Sequence, residues 1–175
     1  TAAARDESPM VRREVALSLR DQPFEQIRDI LVDLAKGYDG KDRWYVEAIG
    51  TGCIGQESAA FNHLQEKLKQ RGPDWDAAFA GIVWRLHPPE AVPALLARGL
   101  DATLSEPLRR QAVDTLAFIP QQAAGEAMVE IAVQGPDDLR AHAAWWVKNR
   151  SLYFWRSYRL TALLGKKRPT APRVT

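Results

Sequence analysis

The sequence predicts an all-α fold of about five stacked helix pairs, and three observations predict it. A helical apolar pattern starts at Val11, Trp44, Trp75, Leu108 and Leu139, at intervals of 33, 31, 33 and 31 residues. A near-constant period of this length marks a repeat architecture. A second amphipathic segment lies in each gap between the copies, and no run shows the sustained alternation of a half-buried strand.

The elements follow in order. Val11, Val15, Ala16 and Leu19 share one helical face, with Ser8 or Asp6 as cap and Pro9 where a first turn tolerates it. Phe24, Ile27, Ile30, Leu31 and Leu34 give a helix over Pro23 to Lys36. Trp44, Ala48, Ile49 and Gly52 form the second copy, after Asp39 and Asp42. Ala60, Phe61, Leu64 and Leu68 give a helix over Glu57 to Arg71, and Trp75, Phe79, Ala80 and Val83 form the third copy. Val92, Leu95 and Leu96 give a helix over Glu90 to Leu100, with Pro93 in its first turn. Leu108, Ala112, Val113 and Leu116 form the fourth copy. Ala124, Met128, Ile131 and Ala132 follow over Gln122 to Val133, and Leu139, Ala143, Ala144 and Val147 form the fifth copy. The phase puts Val15, Phe79, Ala112 and Ala143 at equivalent interior positions. Gly37, Gly72 and Gly135 are expected to supply left-handed caps.

Short amphipathic helix pairs cannot bury both faces alone, so successive pairs must stack. The string Asp6 to Arg12, Asp-x-x-x-x-Val-Arg, with Ala16 and Leu19 after it, resembles the second helix of a HEAT repeat; Leu108-Arg109 and Leu139-Arg140 repeat its core. The resemblance covers roughly residues 6–150 and implies a right-handed α-solenoid. It departs from the family pattern where Tyr45 and Asp76 stand in place of the Arg.

One hundred and seventy-five residues suit a chain of about one domain at roughly 150 residues each. Such a chain buries on the order of 70% of its unfolded surface. The expected organisation is a solenoid over residues 1–164, with a basic aromatic cap at its C-terminal end, and a linker or tail over 165–175. The chain opens at Thr1 with no Met and shows no signal peptide, which suggests a fragment of a larger multidomain protein. Cys53 stands alone, which excludes an internal disulfide framework and a cysteine-based zinc cluster. The longest nearly uncharged stretch, Gln111 to Glu126 interrupted by Asp114, falls short of the ~18 apolar residues of a membrane span.

No catalytic or cofactor-binding residue is specified. His63, His87 and His142 lie in different repeats, and no phosphate loop, zinc-helix or nucleophile-elbow motif occurs. The glycines of the segment Gly50 to Gly55 read as helix packing, with Gly52 at a contact position. Cys53 falls near a helix C-terminus, where the dipole disfavours a thiolate. The expectation is therefore a non-enzymatic module without cofactor.

Partner binding is the stronger theme. Residues 1–138 hold 15 Lys/Arg against 22 Asp/Glu, a net −7, whereas residues 139–175 hold 9 Lys/Arg and no acid. Such asymmetry points to an acidic partner, lipid, nucleic acid or a neighbouring domain. The six tryptophans include Trp44 and Trp75 at equivalent repeat positions. HEAT-like DNA glycosylases use aromatic residues and an Asp in a concave basic groove, but here the middle second helices offer only Arg43 against Asp42, Glu47, Asp74 and Asp76. Phosphate neutralisation needs Lys and Arg, so a protein partner, or a neighbouring domain of the same chain, is favoured over nucleic acid.

The stretch Trp145 to Leu160 interleaves rings with basic residues. It reads as a helix that closes the solenoid, with single-stranded nucleic acid and a membrane surface as alternatives. Trp145 or Trp146 is expected to pack inward, Trp155 and Tyr158 to cover the solenoid's end or meet the next domain, and Arg150, Arg156 and Arg159 to stay near the rim, available to the acid-rich first 138 residues or to a partner. The candidate partner-binding residues are Trp44, Tyr45, Trp75, Arg109, Arg140, Trp155, Arg156, Tyr158 and Arg159.

The string Ala143-Ala144-Trp145-Trp146-Val147-Lys148-Asn149-Arg150 also resembles the end of the HEAT region in large exported planctomycete-type proteins. Those proteins join a sugar-dehydrogenase-like propeller, a HEAT array and a haem c domain. The resemblance implies an exported or periplasmic module of a haem c-linked dehydrogenase-type protein, with neither activity carried by a residue of this chain.

Overall fold

A computed structural model describes residues 2–167. Their regular structure is all helical, with no strand among the described residues beyond an isolated Arg71–Asp74 bridge. The chain forms two compact units, Thr1–Ala91 and Val92–Thr175.

The first unit holds α1 (Pro9–Ser18), α2 (Phe24–Lys36), α3 (Arg43–Gly52), α4 (Glu57–Lys67) and α5 (Ala77–Leu86). Helix α1 packs on α3 and α3 on α5, while α2 packs on α4. Alternate helices therefore meet, which buries their apolar stripes. Leu31, Leu34, Ile49, Phe61, Leu64 and Ile82 are essentially solvent-free, and each such side chain contributes roughly 1.5–3 kcal/mol. The second unit holds α6 (Val92–Leu100), α7 (Glu106–Leu116), α8 (Gln122–Gln134), α9 (Asp137–Arg150) and α10 (Leu160–Lys167). Here α6 packs on α8 and α8 on α10, while α7 packs on α9; α6–α7 and α8–α9 are the intimate pairs.

Each predicted helix is present, with bounds shifted by local chemistry. Pro93 is the second residue of α6, inside its first turn. Helix α4 stops at Lys67 rather than Arg71, because Lys69 turns the chain at φ 55°. The glycine caps come out differently. Gly37 closes α2 at φ −83° and Gly135 closes α8 at φ −66°, neither left-handed, and Gly72 lies beyond the end of α4. The left-handed cap belongs to His87, at φ 50°; the proline that follows disfavours a further right-handed turn.

The repeat phase slips in the middle. Asp42 accepts the Tyr45 amide at 3.1 Å and Asp76 accepts that of Phe79 at 2.7 Å, each as an N-cap. These two caps are the equivalent positions, so Trp44 corresponds to Ala78 and not to Trp75, which precedes α5. Val15, Phe79, Ala112 and Ala143 are all helical. The last three are buried, whereas Val15 is only half-buried and Ala16 takes the interior place beside it.

The C-terminal stretch is not one helix. Helix α9 ends at Arg150, whose carbonyl accepts the amides of Tyr153 and Trp155 at 3.0 and 3.2 Å. The chain turns through 151–155, makes a single 3-10 turn and enters α10 after Arg159, at φ 53°. Of the expected linker or tail over 165–175, residues 165–167 continue α10, and 168–175 lie outside the described residues.

Candidate functional site

The nine candidate residues separate into packing residues and solvent-facing ones. Tyr45 is buried, at 1% exposure. Its hydroxyl donates to the Leu34 carbonyl at 2.9 Å and accepts Arg12 Nε at 3.1 Å, and its ring stacks on Tyr38. Burial raises its pKa above the ordinary tyrosine value, with Arg12 acting in the opposite sense. Trp75 is buried in an aromatic cluster with Phe61 and Phe79. Trp155 is fully buried, its indole N–H on the Ile119 carbonyl. None of these three rings is open to a partner, because each completes the core of its own unit.

The arginines of the repeated string share a structural task. Arg12 donates to the Asp6 and Glu7 carbonyls ahead of α1 and to the Gly37 carbonyl after α2. Arg109 donates to the Leu104 carbonyl ahead of α7, and Arg140 to the Gly135 carbonyl ahead of α9. Each fork thus clasps the loop that leads into its own helix. Arg109 also pairs with Asp138 in the first turn of α9 and is buried, while Arg140 pairs with Asp137 and stays half-exposed. At the two departures from the string, Tyr45 ties α3 to the end of α2, and Asp76 caps α5.

Trp44 stands out in solvent, 74% exposed. It lines an open groove of about 470 Å³ with Arg13, Glu14 and Leu17 of α1 and Glu47, Ala48 and Thr51 of α3. The two helices that border it are close-packed: a Cβ on Gly52 would lie 2.2 Å from the Ala16 carbonyl oxygen, so α1 and α3 meet as tightly as Gly52 allows. Both signs of charge border it, and Glu47 is held by Arg85 Nε at 2.5 Å. Arg156 and Arg159 are exposed and Tyr158 half-exposed, in the turn before α10.

Arg150, expected at the rim, joins a ring cluster in the second unit that the sequence does not reveal. The Arg150 guanidinium lies 4.4 Å from the ring centroid of Phe118, 4.7 Å from that of Trp146 and 5.2 Å from that of Phe154. Among the described residues it has no side-chain hydrogen bond and no ion pair, and its Nε is buried without a partner. Desolvation by the rings lowers its pKa from the ordinary value, against a smaller opposite effect of Tyr153. Trp146 is fixed from behind: its indole N–H donates to Asp114 at 2.8 Å, and His142 Nε2 contacts the same oxygen at 2.6 Å. Trp145 meets Trp146 edge-on at 4.7 Å and is itself 53% exposed. The i, i+4 spacing of Trp146 and Arg150 was visible in the sequence; the approach of Phe118, just past α7, was not.

Cys53 is fully buried at the C-cap of α3, and desolvation pushes its thiol up to about 12. His63 meets Phe24 edge-on, and His142 is engaged by Asp114. Among the described residues no three His, Cys, Asp or Glu side chains gather as a metal-ligand set. No helix among them is long and apolar enough to cross a membrane. No family model, curated protein or solved structure matches the chain.

Proposed function

We propose that this chain is a non-catalytic protein-interaction module, a right-handed HEAT-like α-solenoid of about five helix pairs, within a larger multidomain protein. The stacking of alternate helices inside each unit supports the repeat reading, as does the recurring Arg clasp at 12, 109 and 140. The observation that carries the functional reading is the exposure of Trp44 and Trp145 on helices whose other faces are packed. Tryptophan in solvent adds little to stability, and such rings are enriched at protein interfaces.

Two measurements test this. A solenoid has a radius of gyration clearly above roughly 16 Å, the value for a compact chain of this length; small-angle scattering at or below that value contradicts the repeat architecture. For the interaction, a photo-crosslinking residue is placed at Trp44 or Trp145 in the whole gene product, with Glu66 and Glu126 as exposed controls. The expected adducts join the tryptophan positions to another polypeptide, or to a segment outside these 175 residues. Adducts no more frequent there than at the controls would end the reading.

A further inference from the structure

We propose that the ring-held Arg150 is the recognition point for an acidic polypeptide segment: one Asp or Glu carboxylate taken by the guanidinium, with an adjacent apolar side chain lying on the exposed rings of Phe118 and Trp145. This inference rests on the reading of the chain as an interaction module and gives that module's partner its chemistry.

Three observations carry it. The first is an uncompensated cation. The other arginines of α7 and α9 have carboxylates: Arg109 pairs with Asp138, Arg110 with Glu106 and Arg140 with Asp137. Arg150 has ring faces instead. Stacking holds a planar guanidinium in place while leaving its N–H edges for a partner, and a carboxylate matches that fork with two parallel hydrogen bonds. The second is preorganisation. Asp114 fixes Trp146 from the far side, Phe118 meets Trp146 at 5.8 Å, and Trp145 meets it at 4.7 Å. The rings therefore need little ordering when a ligand arrives. The third is exposure. Phe118 is 45% exposed and Phe154 39%, so with Trp145 they form an apolar surface around a single cation, the composition of an interface centre.

Charge selects the occupant. From residue 139 onward the sequence has nine basic residues and no acid, and the nearby Asp114 carboxylate is engaged by the Trp146 N–H and by His142. A nucleic acid strand needs several cations tracking its phosphates, whereas these rings hold one. One fork beside apolar rings suits an acidic residue next to an apolar one in a polypeptide.

The test is selection of a random decapeptide display library on the full chain. Enriched peptides are expected to carry Asp or Glu beside Trp, Phe or Leu. Changing that acid to Gln in an enriched peptide should weaken binding by about tenfold or more, as should Arg150→Gln, whereas Arg150→Lys should restore only part of the affinity. The peptide-side change leaves the protein untouched, so it decides the matter even where Arg150→Gln fails to fold. No enrichment over a blank surface, enrichment without an acid, or binding indifferent to the acid-to-Gln change each overturns the proposal. So does Arg150-dependent binding of a single-stranded thymidine decamer, which assigns the surface to nucleic acid. Crosslinks from Trp44 and Trp145 to protein, without acid preference at Arg150, would remove this inference and leave the interaction reading standing.

Discussion

The indole N–H of Trp155 donates to the carbonyl of Ile119 at 2.9 Å, across 36 residues of sequence. The ring also covers Gly125 of α8, where a Cβ would meet Leu160 at 2.2 Å and Trp155 at 3.4 Å. The basic aromatic end is thereby divided: Trp155, Leu160 and Leu164 complete the core of the second unit, while Arg156 and Arg159 stay in solvent.

Trp155→Ala should therefore destabilise the second unit by about 3–5 kcal/mol, the usual cost of emptying a large aromatic site. Trp155→Phe keeps most of the packing and loses the N–H, for about 1 kcal/mol. Urea unfolding resolves the two, with the exposed Trp145→Ala as reference. A Trp155→Ala midpoint equal to that of Trp145→Ala would contradict the burial.

The helices were legible because local chemistry specifies them. The apolar stripe of Phe24, Ile27, Leu31 and Leu34, for example, is complete within 13 residues and becomes α2. The candidate site was much less legible. Apolar spacing alone makes Trp75 the repeat equivalent of Trp44, but the carboxylate of Asp76 starts α5 one residue after itself, leaving Trp75 outside the helix and inside the core. The sequence puts Trp155 over the solenoid's end or against the next domain, on a stretch that reads as one helix. The break after Arg150 turns it back toward Ile119. Phe118 reaches Arg150 only because α7 packs on α9, a relation that no local pattern encodes.

Tyr45→Phe removes one hydroxyl: the Leu34 carbonyl keeps the Gly37 amide, but the half-buried Arg12 Nε loses its acceptor. The expected loss is about 1–3 kcal/mol in chemical unfolding. The neighbouring Trp44→Ala, on an exposed ring, should stay within about 0.5 kcal/mol. The reverse order of the two would show that Trp44, rather than Tyr45, holds α3 in place.

Cys53 makes a prediction in pH. Its thiol is raised from 9.0 to about 12 by burial, with Glu57 adding to the rise. The folded chain keeps a proton that the unfolded chain releases, so stability is intact below pH 9 and falls as pH rises toward 12. Tyr38 and Tyr45, also raised by burial, act in the same direction above pH 10. Unfolding midpoints measured from pH 8 to 11 should decline, and Cys53→Ala should decline less steeply. A thiol reagent at pH 8 should label Cys53 only as fast as the first unit opens.

Gly52 sets the distance between α1 and α3, and its replacement tests whether that distance matters. A Cβ there would lie 2.2 Å from the Ala16 carbonyl oxygen and 3.2 Å from the Leu19 side chain. The nearest obstacle is backbone, which cannot swing aside as a side chain can, so the helices must separate. Gly50 differs, because the nearest atoms its Cβ would meet belong to the Arg85 side chain, at 2.4 Å, and that chain can move at the expense of its pairing with Glu47. Gly55 differs again, with nothing within 4 Å and a φ of +79°, so alanine there meets backbone strain alone, about 1 kcal/mol. Gly52→Ala should be the most destabilising of the three, by about 1–3 kcal/mol or more. It should also widen the groove beside Trp44, read as an emission difference from the Gly55→Ala protein that disappears when Trp44 is replaced by Phe in both. Equal stability of the Gly52→Ala and Gly55→Ala proteins would mean that α1 and α3 are not held at this contact.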